Sequence, residues 1–572
     1  MIAGPSRHAI RTGSRAASVN AALTRGYTPE ELAEIRAARI RLIRDLTAGP
    51  QNPGGGGAVL SHPTLGRIVI SNPGQLPPVG EFGGSAGRPN PGLIAGPSPI
   101  GGALTEAPEG GSGGGAGGGS GGGSGEFPIL VPGRGFAGPT AQPPAAGDAS
   151  MLGYDAKAIA RWDVVPYQTF DGLFEIGVVA FHMRGIDRVE FSVNGGDWVT
   201  VREMTLNPRT QVEEYWVGLD AALFDQDGPV EVRAVVYPTV GIPRVLAGEM
   251  DWDNRYQGPQ WTGEHSMFLF ANGEGTSDEI VVKLPQGIYE WGAFPGIPDE
   301  IPDDRWLVIQ PQAGASVTIL PGLWRDQPRF VRLHDLDLIQ PDAEAHVRGS
   351  THNILWFDEV EYVGRGMYED ANAIKARHHF WTNSVVRESR WGQAEHFVRN
   401  SRFERIGDDT FNRSYLILNT SVNNQGTPPA HLRWHPGVIA NPIEHDNRIY
   451  FGLDIITRQK AWAFRNGTWD HWEHTDVAIV GCVTNKTTEG NQLLYLGGQV
   501  NHMVIKDNVW RGDQSWNYRL TDRVSEPRWK FNPHNVYMEN NDWYGDPSWM
   551  PNPSTLEGVT IIPIGSDRPI GG

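Results

Sequence analysis

The sequence predicts an all-β protein made of short strands that recur along the chain. One pattern is written three times, in residues 380–386, 397–403 and 416–422. Each copy has apolar residues leading to an asparagine (Asn383, Asn400 or Asn419), then a hydroxyl residue, then an apolar residue. A repeat of roughly 20 residues cannot bury its apolar face alone and must stack on its neighbours. We therefore predict a right-handed parallel β-helix over residues 259–548.

Looser copies extend this repeat in both directions. They occupy residues 333–338, 357–362, 479–483, 505–510 and 537–543. Alternating β-branched and aromatic residues, divided by Asn, Asp and Gly, are typical of strands and turns rather than of helices. We expect the asparagines to share one corner of the stack and to form an amide ladder there.

Residues 151–258 predict a β-sandwich of immunoglobulin-like type. Seven strand-like runs follow one another closely, and Asn194-Gly195-Gly196 between two of them is typical of a hairpin turn. One cysteine in the whole chain, Cys482, excludes an intramolecular disulfide and predicts a small buried apolar side chain. Asp251-Trp252-Asp253-Asn254 is interpreted as a hinge, with a calcium site as the alternative.

The remaining segments predict an anchor and a tether. Residues 1–50 combine a basic arm with an amphipathic helix, which Thr28-Pro29-Glu30-Glu31 would begin and Gly49-Pro50 would end. We expect this helix to pack on the chain's own body, or to dock into another protein or pair with copies of itself. Residues 51–150 are a Gly/Pro-rich linker in which Ile68-Val69-Ile70 is the one predicted strand. Residues 549–572 are a C-terminal tail.

Composition excludes several classes of function. A formal net charge of -18 argues against a nucleic-acid partner, because phosphate contacts require clustered Lys and Arg. No apolar run is long enough to span a bilayer. No secretory signal is visible in residues 1–25, which lack an apolar core.

The sandwich segment followed by the repeats resembles structural proteins of tailed bacteriophages, and bacterial surface proteins with pectate-lyase-like repeats. The resemblance covers residues 151–545 and includes the stretches 227–234 and 241–246. It implies a virion or surface protein that contacts host glycans, is trimeric when it is a tailspike, and attaches to other virion or surface proteins through the N-terminal helix. We expect it on a virion or an extracellular surface.

Proteins of these families often cut polysaccharides, so the sequence also suggests a depolymerase as the alternative function. Gly407-Asp408-Asp409 is similar to the paired aspartates of polygalacturonases, and Arg458-Gln459-Lys460 to their Arg-x-Lys. Two neighbouring carboxyl groups are forced to different pKa values, so that one donates a proton while the other activates water. The expected Gly-His-Gly is represented only by His435 before Pro436-Gly437. The other reading of Asp408 and Asp409 is that they cap a turn.

We predict a non-enzymatic virion structural or adhesion protein that presents its β-helix to glycans. The chain has 20 tryptophans, and Trp381, Trp391 and Trp434 are the candidates for stacking on sugar rings. No cofactor is expected, although calcium would serve a lyase. His378 and His379, and His471 with His474, could ligate a metal, but we expect them to be surface or loop histidines.

Overall fold

The computed structural model confirms the all-β class. It describes residues 59–62, 66–69, 127–133, 156–224, 229–248, 251–253, 258–260, 264–272, 280–302, 305–340, 347–348, 354–366, 374–375, 378–390, 392, 397–407, 409–412, 414–424, 437–440, 447–458, 460–465, 473–487, 494–497, 499–512, 518–520, 534–544, 561–563 and 568–570. Among these residues the only helical element is a 3₁₀ turn, Ala221–Leu223. The predicted helix of residues 28–50 lies outside them. No described helix is long and apolar enough to cross a membrane.

The chain divides into two compact units, Met1–Ser124 and Gly125–Gly572. In the first unit, strands β1 (Val59–His62) and β2 (Gly66–Val69) form an antiparallel hairpin. The strand predicted around Ile68 is thus confirmed, and it gains a partner that the sequence did not indicate.

The second unit begins with two sheets that share one buried core. The first is a four-stranded sheet, in the order β3 (Ile159–Trp162), β5 (Leu173–Phe181), β9 (Glu213–Asp220) and β8 (Thr205–Leu206). The second is a six-stranded sheet of β4 (Thr169–Phe170), β14 (Met267–Ala271), β10 (Pro229–Pro238), β6 (Ile186–Val193) and β7 (Val199–Val201), with β11 (Arg244–Leu246) beside β10. All pairs are antiparallel except β4 with β14. We call this body the sandwich.

All seven strand-like runs of the sandwich segment are strands in the structure. Asn194 and Gly195 have φ values of 45° and 71°, which match the left-handed pair of a two-residue hairpin turn. The predicted boundary at residue 258 is wrong, because β14 pairs with β10 and so belongs to the sandwich. Between them, β12 (Asp251–Asp253) and β13 (Gly258–Gln260) form a hairpin at the predicted hinge.

Part of the predicted linker also packs on the sandwich. Leu130 is fully buried in the sandwich core, and its amide donates to the Gly218 carbonyl over 2.9 Å. Phe127 lies 4.7 Å from Trp216 between ring centroids. Residues 127–133 are therefore a structural segment of the sandwich, because their backbone pairs with β9 at Gly218 and Leu130 enters the core.

From Ile280 onward, the described residues build two long parallel sheets, one shorter parallel sheet and one separate parallel pair of strands. The first long sheet contains, in order of pairing, β15 (Ile280–Leu284), β17 (Leu307–Pro311), β19 (Phe330–His334), β22 (Ile354–Asp358), β25 (His378–Thr382), β27 (Phe397–Arg399), β30 (Leu416–Leu418), β33 (Arg448–Phe451), β36 (Glu473–Val480), β39 (Gln499–Lys506), β42 (His534–Glu539) and β44 (Ile561–Pro563). The second long sheet contains β16 (Gly287–Glu290), β18 (Val317–Leu320), β20 (Asp337–Ile339), β23 (Glu361–Val363), β26 (Val385–Ser389), β28 (Arg402–Ile406), β31 (Ser421–Asn424), β34 (Asp454–Thr457), β37 (Val483–Lys486), β40 (Val509–Gly512), β43 (Asp542–Tyr544) and β45 (Arg568–Ile570).

The third sheet is shorter and consists of β29 (Phe411–Asn412), β32 (Gly437–Ala440), β35 (Lys460–Arg465), β38 (Leu494–Gly497) and β41 (Tyr518–Leu520), while β21 (Val347–Arg348) pairs separately with β24 (Ile374–Lys375). Successive repeats give one strand to each long sheet, and their inward side chains form one continuous apolar core. This arrangement fits a parallel β-helix. Strands β44 and β45 continue both long sheets, so the predicted C-terminal tail contributes strands.

The corner between the two long sheets explains the repeated asparagines. Asn383, Asn400 and Asn419 have φ values of 53°, 50° and 45°, and the same position in other repeats holds further left-handed residues: Asp335, Glu359, Gly452, Gly481, Asp507 and Asn540. Among L residues, Asn and Asp tolerate this conformation best. At every corner from Asp335 to Asp507, the backbone amide donates to a carbonyl of the next repeat, as from Asn383 to Arg399 over 3.0 Å.

The predicted amide ladder at these asparagines is wrong, because the side-chain ladder lies one residue later and points inward. There the hydroxyl of Ser401 accepts from the Ser384 amide at 3.2 Å. Asn508 donates to Asn541 Oδ1 at 2.9 Å, and the Cys482 amide donates to Asn508 Oδ1 at 2.8 Å. The corner asparagines point outward instead, where Asn400 and Asn419 reach the sandwich.

Candidate functional site

Three of the five predicted catalytic residues are described, and they lie along one corner of the parallel stack. Asp409 lies between β28 and β29, and Arg458 lies between β34 and β35, so both connect the second long sheet to the third. They belong to different repeats, because β31 separates β28 from β34 in the second long sheet. Asp409 is buried whereas Arg458 is exposed. Lys460 begins β35. Asp408 and His435 lie outside the described residues.

Trp381 is buried and cannot stack on a sugar. Its side chain is fully buried in the inward core of β25, and its ring stacks on Phe357 with 4.1 Å between centroids. The side chain points inward because the inward and outward positions alternate along the strand. Trp391 and Trp434 lie outside the described residues. His378 and His379 are also buried, contrary to the expectation of surface or loop positions, because both belong to β25.

The outer face of the first long sheet is covered by the sandwich. A separate apolar cluster joins the two bodies: Ile159, Val165, Val179 and Met183 of the sandwich pack with Phe380, Phe397, Leu416 and Ile449 of the parallel sheet. Trp306 donates from Nε1 to the Pro166 carbonyl at 2.9 Å. We call this surface the sandwich contact. It removes one of the two long faces from solvent.

Hydrogen bonds fix the register of the sandwich contact. The Asn447 side chain donates to the Ala160 carbonyl and accepts from the Ala160 amide, both at 2.8 Å. It thereby satisfies the open edge of β3, which would otherwise present unpaired backbone groups. Asn400 donates to the Thr210 carbonyl at 2.8 Å, and Asn419 donates to the Gln211 carbonyl at 2.6 Å.

Two buried charge clusters cross the sandwich contact. In one, Arg399 donates from the parallel sheet to Oδ1 of the fully buried Asp163 at 3.1 Å. Burial raises the pKa of Asp163 against the charge of Arg399. Burial and the charge of Asp163 also raise the pKa of Glu214, whose Oε1 accepts from Asn207 at 2.6 Å. Such buried groups favour one orientation, because a shift would leave them uncompensated.

The second cluster centres on Arg244 of the sandwich, which is fully buried. Arg244 donates to Asp476 Oδ2 of the parallel sheet at 2.5 Å and to Glu264 and the Ala158 carbonyl within the sandwich. Asp476 Oδ1 lies 2.7 Å from His502 Nδ1. Asn447, Asp476 and His502 are all left-handed residues. The residues that follow them, Arg448, Val477 and Met503, pair with one another in register across three neighbouring strands. The three left-handed residues are therefore stacked as well, and they form a second corner beside the sandwich.

The outer face of the second long sheet is open and polar. One column of registered residues runs Asp337, Glu361, Val385, Arg402, Ser421, Asp454 and Val483, and all of them are half-buried or exposed. Arg387 pairs with Glu361 at 2.5 Å, and Arg402 with Glu404 at 3.1 Å. Burial and the charge of Glu361 raise the pKa of Asp337. We call this surface the open face.

A polar cluster lies on the first long sheet at the carboxyl ends of β19, β22 and β25. Asp358 accepts from Arg332 at 2.6 Å and from Thr382 at 2.6 Å, and lies 3.1 Å from His334 Nδ1. Although burial opposes it, these three partners hold the pKa of Asp358 well below its usual range. The bond to Asp358 in turn raises the pKa of His334. Sequence reasoning missed this cluster; its signal is a polar residue at the same strand end in successive repeats.

No described group of three or more His, Cys, Asp and Glu residues is arranged to hold a metal ion. Comparison with models of known protein families, with curated proteins and with solved structures finds no match. The function must therefore be argued from the chain itself.

Proposed function

We propose that this protein is a structural or adhesion protein of a virion or cell surface, and that its open face binds a glycan or a partner protein. The observation that carries the proposal is the asymmetry of the two long sheets. The sandwich covers the outer face of the first sheet, while the open face stays polar and accessible. An immunoglobulin-like sandwich on a right-handed β-helix, the trimer of a tailspike and attachment through residues 1–50 are the finer parts of this proposal.

The dimensions and chemistry of the open face suit an extended polymer. Twelve strands at a spacing of about 4.8 Å extend over roughly 50 Å. Its charged residues include both signs and form ion pairs within the sheet, such as Arg387 with Glu361. Such a surface offers hydrogen bonds to hydroxyl groups without a strong field of one sign, which fits a neutral or weakly charged glycan better than a polyanion.

The test is co-sedimentation of the purified chain with a panel of bacterial surface and plant polysaccharides. The double variant Arg387→Ala/Arg402→Ala should bind at least about tenfold more weakly, because each charged hydrogen bond is worth roughly 1.5–3 kcal/mol. Arg202→Ala is the matched control, since Arg202 is an exposed arginine paired with Asp187 on the sandwich. Equal binding by both variants would rule out the open face as the binding site.

A second candidate, a polysaccharide depolymerase, is favoured by the placement of Asp409 and Arg458 at one corner. In that case Asp408 and Asp409 would act as acid and base. Size analysis of the same polysaccharides, with and without calcium, separates the two functions. Shortening of any polymer that is lost in Asp409→Asn would establish the depolymerase. Polymers that keep their length but sediment with the protein support adhesion, and a panel without any binding would direct the search to a protein partner.

A further inference from the structure

Two histidines face each other across the sandwich contact. His182 directly follows β5 of the sandwich, and His502 lies in β39 of the first long sheet. Their ring centroids are 5.1 Å apart, and both side chains are buried. Neither residue belongs to the open face. Their position places two titratable groups at the junction of the two bodies.

The hydrogen bonds of His182 require a neutral ring. The Arg184 amide donates to Nδ1 at 3.1 Å, so Nδ1 must be unprotonated. Nε2 lies 3.3 Å from the Ala156 carbonyl and therefore carries the ring proton. A second proton on Nδ1 would point at the Arg184 N–H and break this bond. Burial and the neighbouring His502 accordingly lower the pKa of His182 to about 3.

Among the described residues, the acid whose charge favours a protonated His182 is already committed on both oxygens. This acid, Asp476, uses Oδ1 for His502 Nδ1 and Oδ2 for Arg244. Glu264 is shared between Arg244 and Lys157, the latter at 3.3 Å. Arg184 adds a further positive charge that opposes protonation of His182, while Asp476 favours it. The nitrogen Nε2 of His502 is buried and has no hydrogen-bond partner among the described residues.

We propose that acidification releases the sandwich from the first long sheet, with His182 as the group whose protonation drives the release. Separation would move the His182 ring away from His502 and expose it to water, and it would uncover the apolar outer face of the first long sheet. The protein would then have a covered form near neutral pH and an acid form with an additional apolar surface.

The direction of the pH dependence follows from proton linkage. The pKa of His182 is about 3 in the contact, where burial and His502 lower it, and release moves it towards its ordinary value of 6.5. As the pH falls below 6.5, the released form therefore binds more protons at His182 than the covered form, so this group lowers the equilibrium constant for covering by at most tenfold per pH unit. Above pH 6.5 His182 is neutral in both forms and no longer opposes the contact.

Hydrogen exchange of two amides distinguishes release from unfolding. The Ala160 amide donates across the contact to Asn447, whereas the Ala158 amide donates to the Ile242 carbonyl within the sandwich. The ratio of their protection factors should fall between pH 6.5 and pH 4.5, with a slope of at most tenfold per pH unit. If both amides lose protection together, the sandwich unfolds, as titration of the interior His265 would also cause, and the proposal is overturned.

Variants assign the effect to His182. His182→Gln keeps a donor for the Ala156 carbonyl but cannot become charged, so its protection ratio should be independent of pH over this range. His334→Gln is the control, because His334 lies on the parallel sheet outside the residues of this contact, and it should keep the full response. An unchanged ratio in the natural protein, or a slope that persists in His182→Gln, overturns the proposal. The wild-type profile decides even if the variant folds poorly.

Discussion

The two long parallel sheets have the same number of strands and the same inward packing, but their outer faces differ. On the first sheet, the registered outward column Trp356, Phe380, Phe397, Leu416 is apolar and buried under the sandwich. On the second, the corresponding column of polar and half-buried residues remains open. The inward face of a stacked repeat is dictated by the repeat itself. The outward face instead depends on what packs against it: the sandwich covers the first sheet, whereas the outward column of the second sheet stays half-buried or exposed.

The largest loss of stability should come from an aspartate introduced on the covered face, compared with an aspartate introduced on the open face. Phe380→Asp places an unpaired carboxylate in the sandwich contact, where the side chain is fully buried. Val385→Asp places the same group on the half-buried open face. We expect about 5 kcal/mol or more of destabilisation for Phe380→Asp, from lost burial and from desolvation of the charge. Val385→Asp should cost less than about 1 kcal/mol.

Chemical denaturation followed by circular dichroism measures both variants. A similar loss of unfolding free energy in the two would contradict the assignment of a covered and an open face. The difference between the two variants is the informative quantity, because both introduce the same side chain in the same repeat.

The next largest effect concerns the polar part of the sandwich contact. Arg244→Ala removes the fully buried cation and leaves Asp476 Oδ2 without its arginine partner, so that Asp476 keeps only His502 at Oδ1. Breaking a buried pair on one side costs roughly 3–5 kcal/mol. We expect earlier loss of Ala160 amide protection and a lower unfolding midpoint. The matched control is Arg387→Ala, which breaks an exposed pair on the open face and should cost at most about 1 kcal/mol. Equal losses of unfolding free energy in the two variants would show that the buried ion pair of Arg244 stabilises the protein no more than an exposed pair does.

The smallest loss of stability is expected at the corner that joins the two long sheets. Asn383 is left-handed and exposed, so its backbone conformation matters more than its side-chain contacts. Asn383→Val should cost about 1–3 kcal/mol, because a β-branched residue is strained at positive φ. Asn383→Gly relieves the strain and should remain within about 1 kcal/mol of the natural protein. A thermal unfolding series would contradict this account if Val and Gly were equally tolerated.

Gly452 shows why the residue at the corner position cannot be exchanged freely between repeats. A Cβ added there would lie 2.6 Å from Asn419 Oδ1, in the neighbouring repeat. The corner asparagine of one repeat therefore limits the residue at the corner of the next. Such coupling cannot be read from one repeat, because it depends on which side chains the stacking brings together.

The sequence by itself determined the strands and the turns, because both follow from local physics. The strand period of two set the inward faces, the Asn194-Gly195 pair set a hairpin, and the asparagines of the three clear repeats set the left-handed corners. Local pattern also placed Cys482 in the core, where it is fully buried. Burial raises the pKa of its thiol to about 12, as expected for a structural cysteine.

Only the tertiary structure decided which outward faces are covered. Trp381 looked like a candidate for sugar stacking, yet its place in the two-residue period of β25 turns it into the core. Arg244, Asp476, His182 and His502 come from distant parts of the chain and acquire their roles only when the sandwich lies on the first long sheet. Their meeting depends on the register of one body on the other, which no local pattern encodes, because contacts between distant segments are set by the packing of complete surfaces.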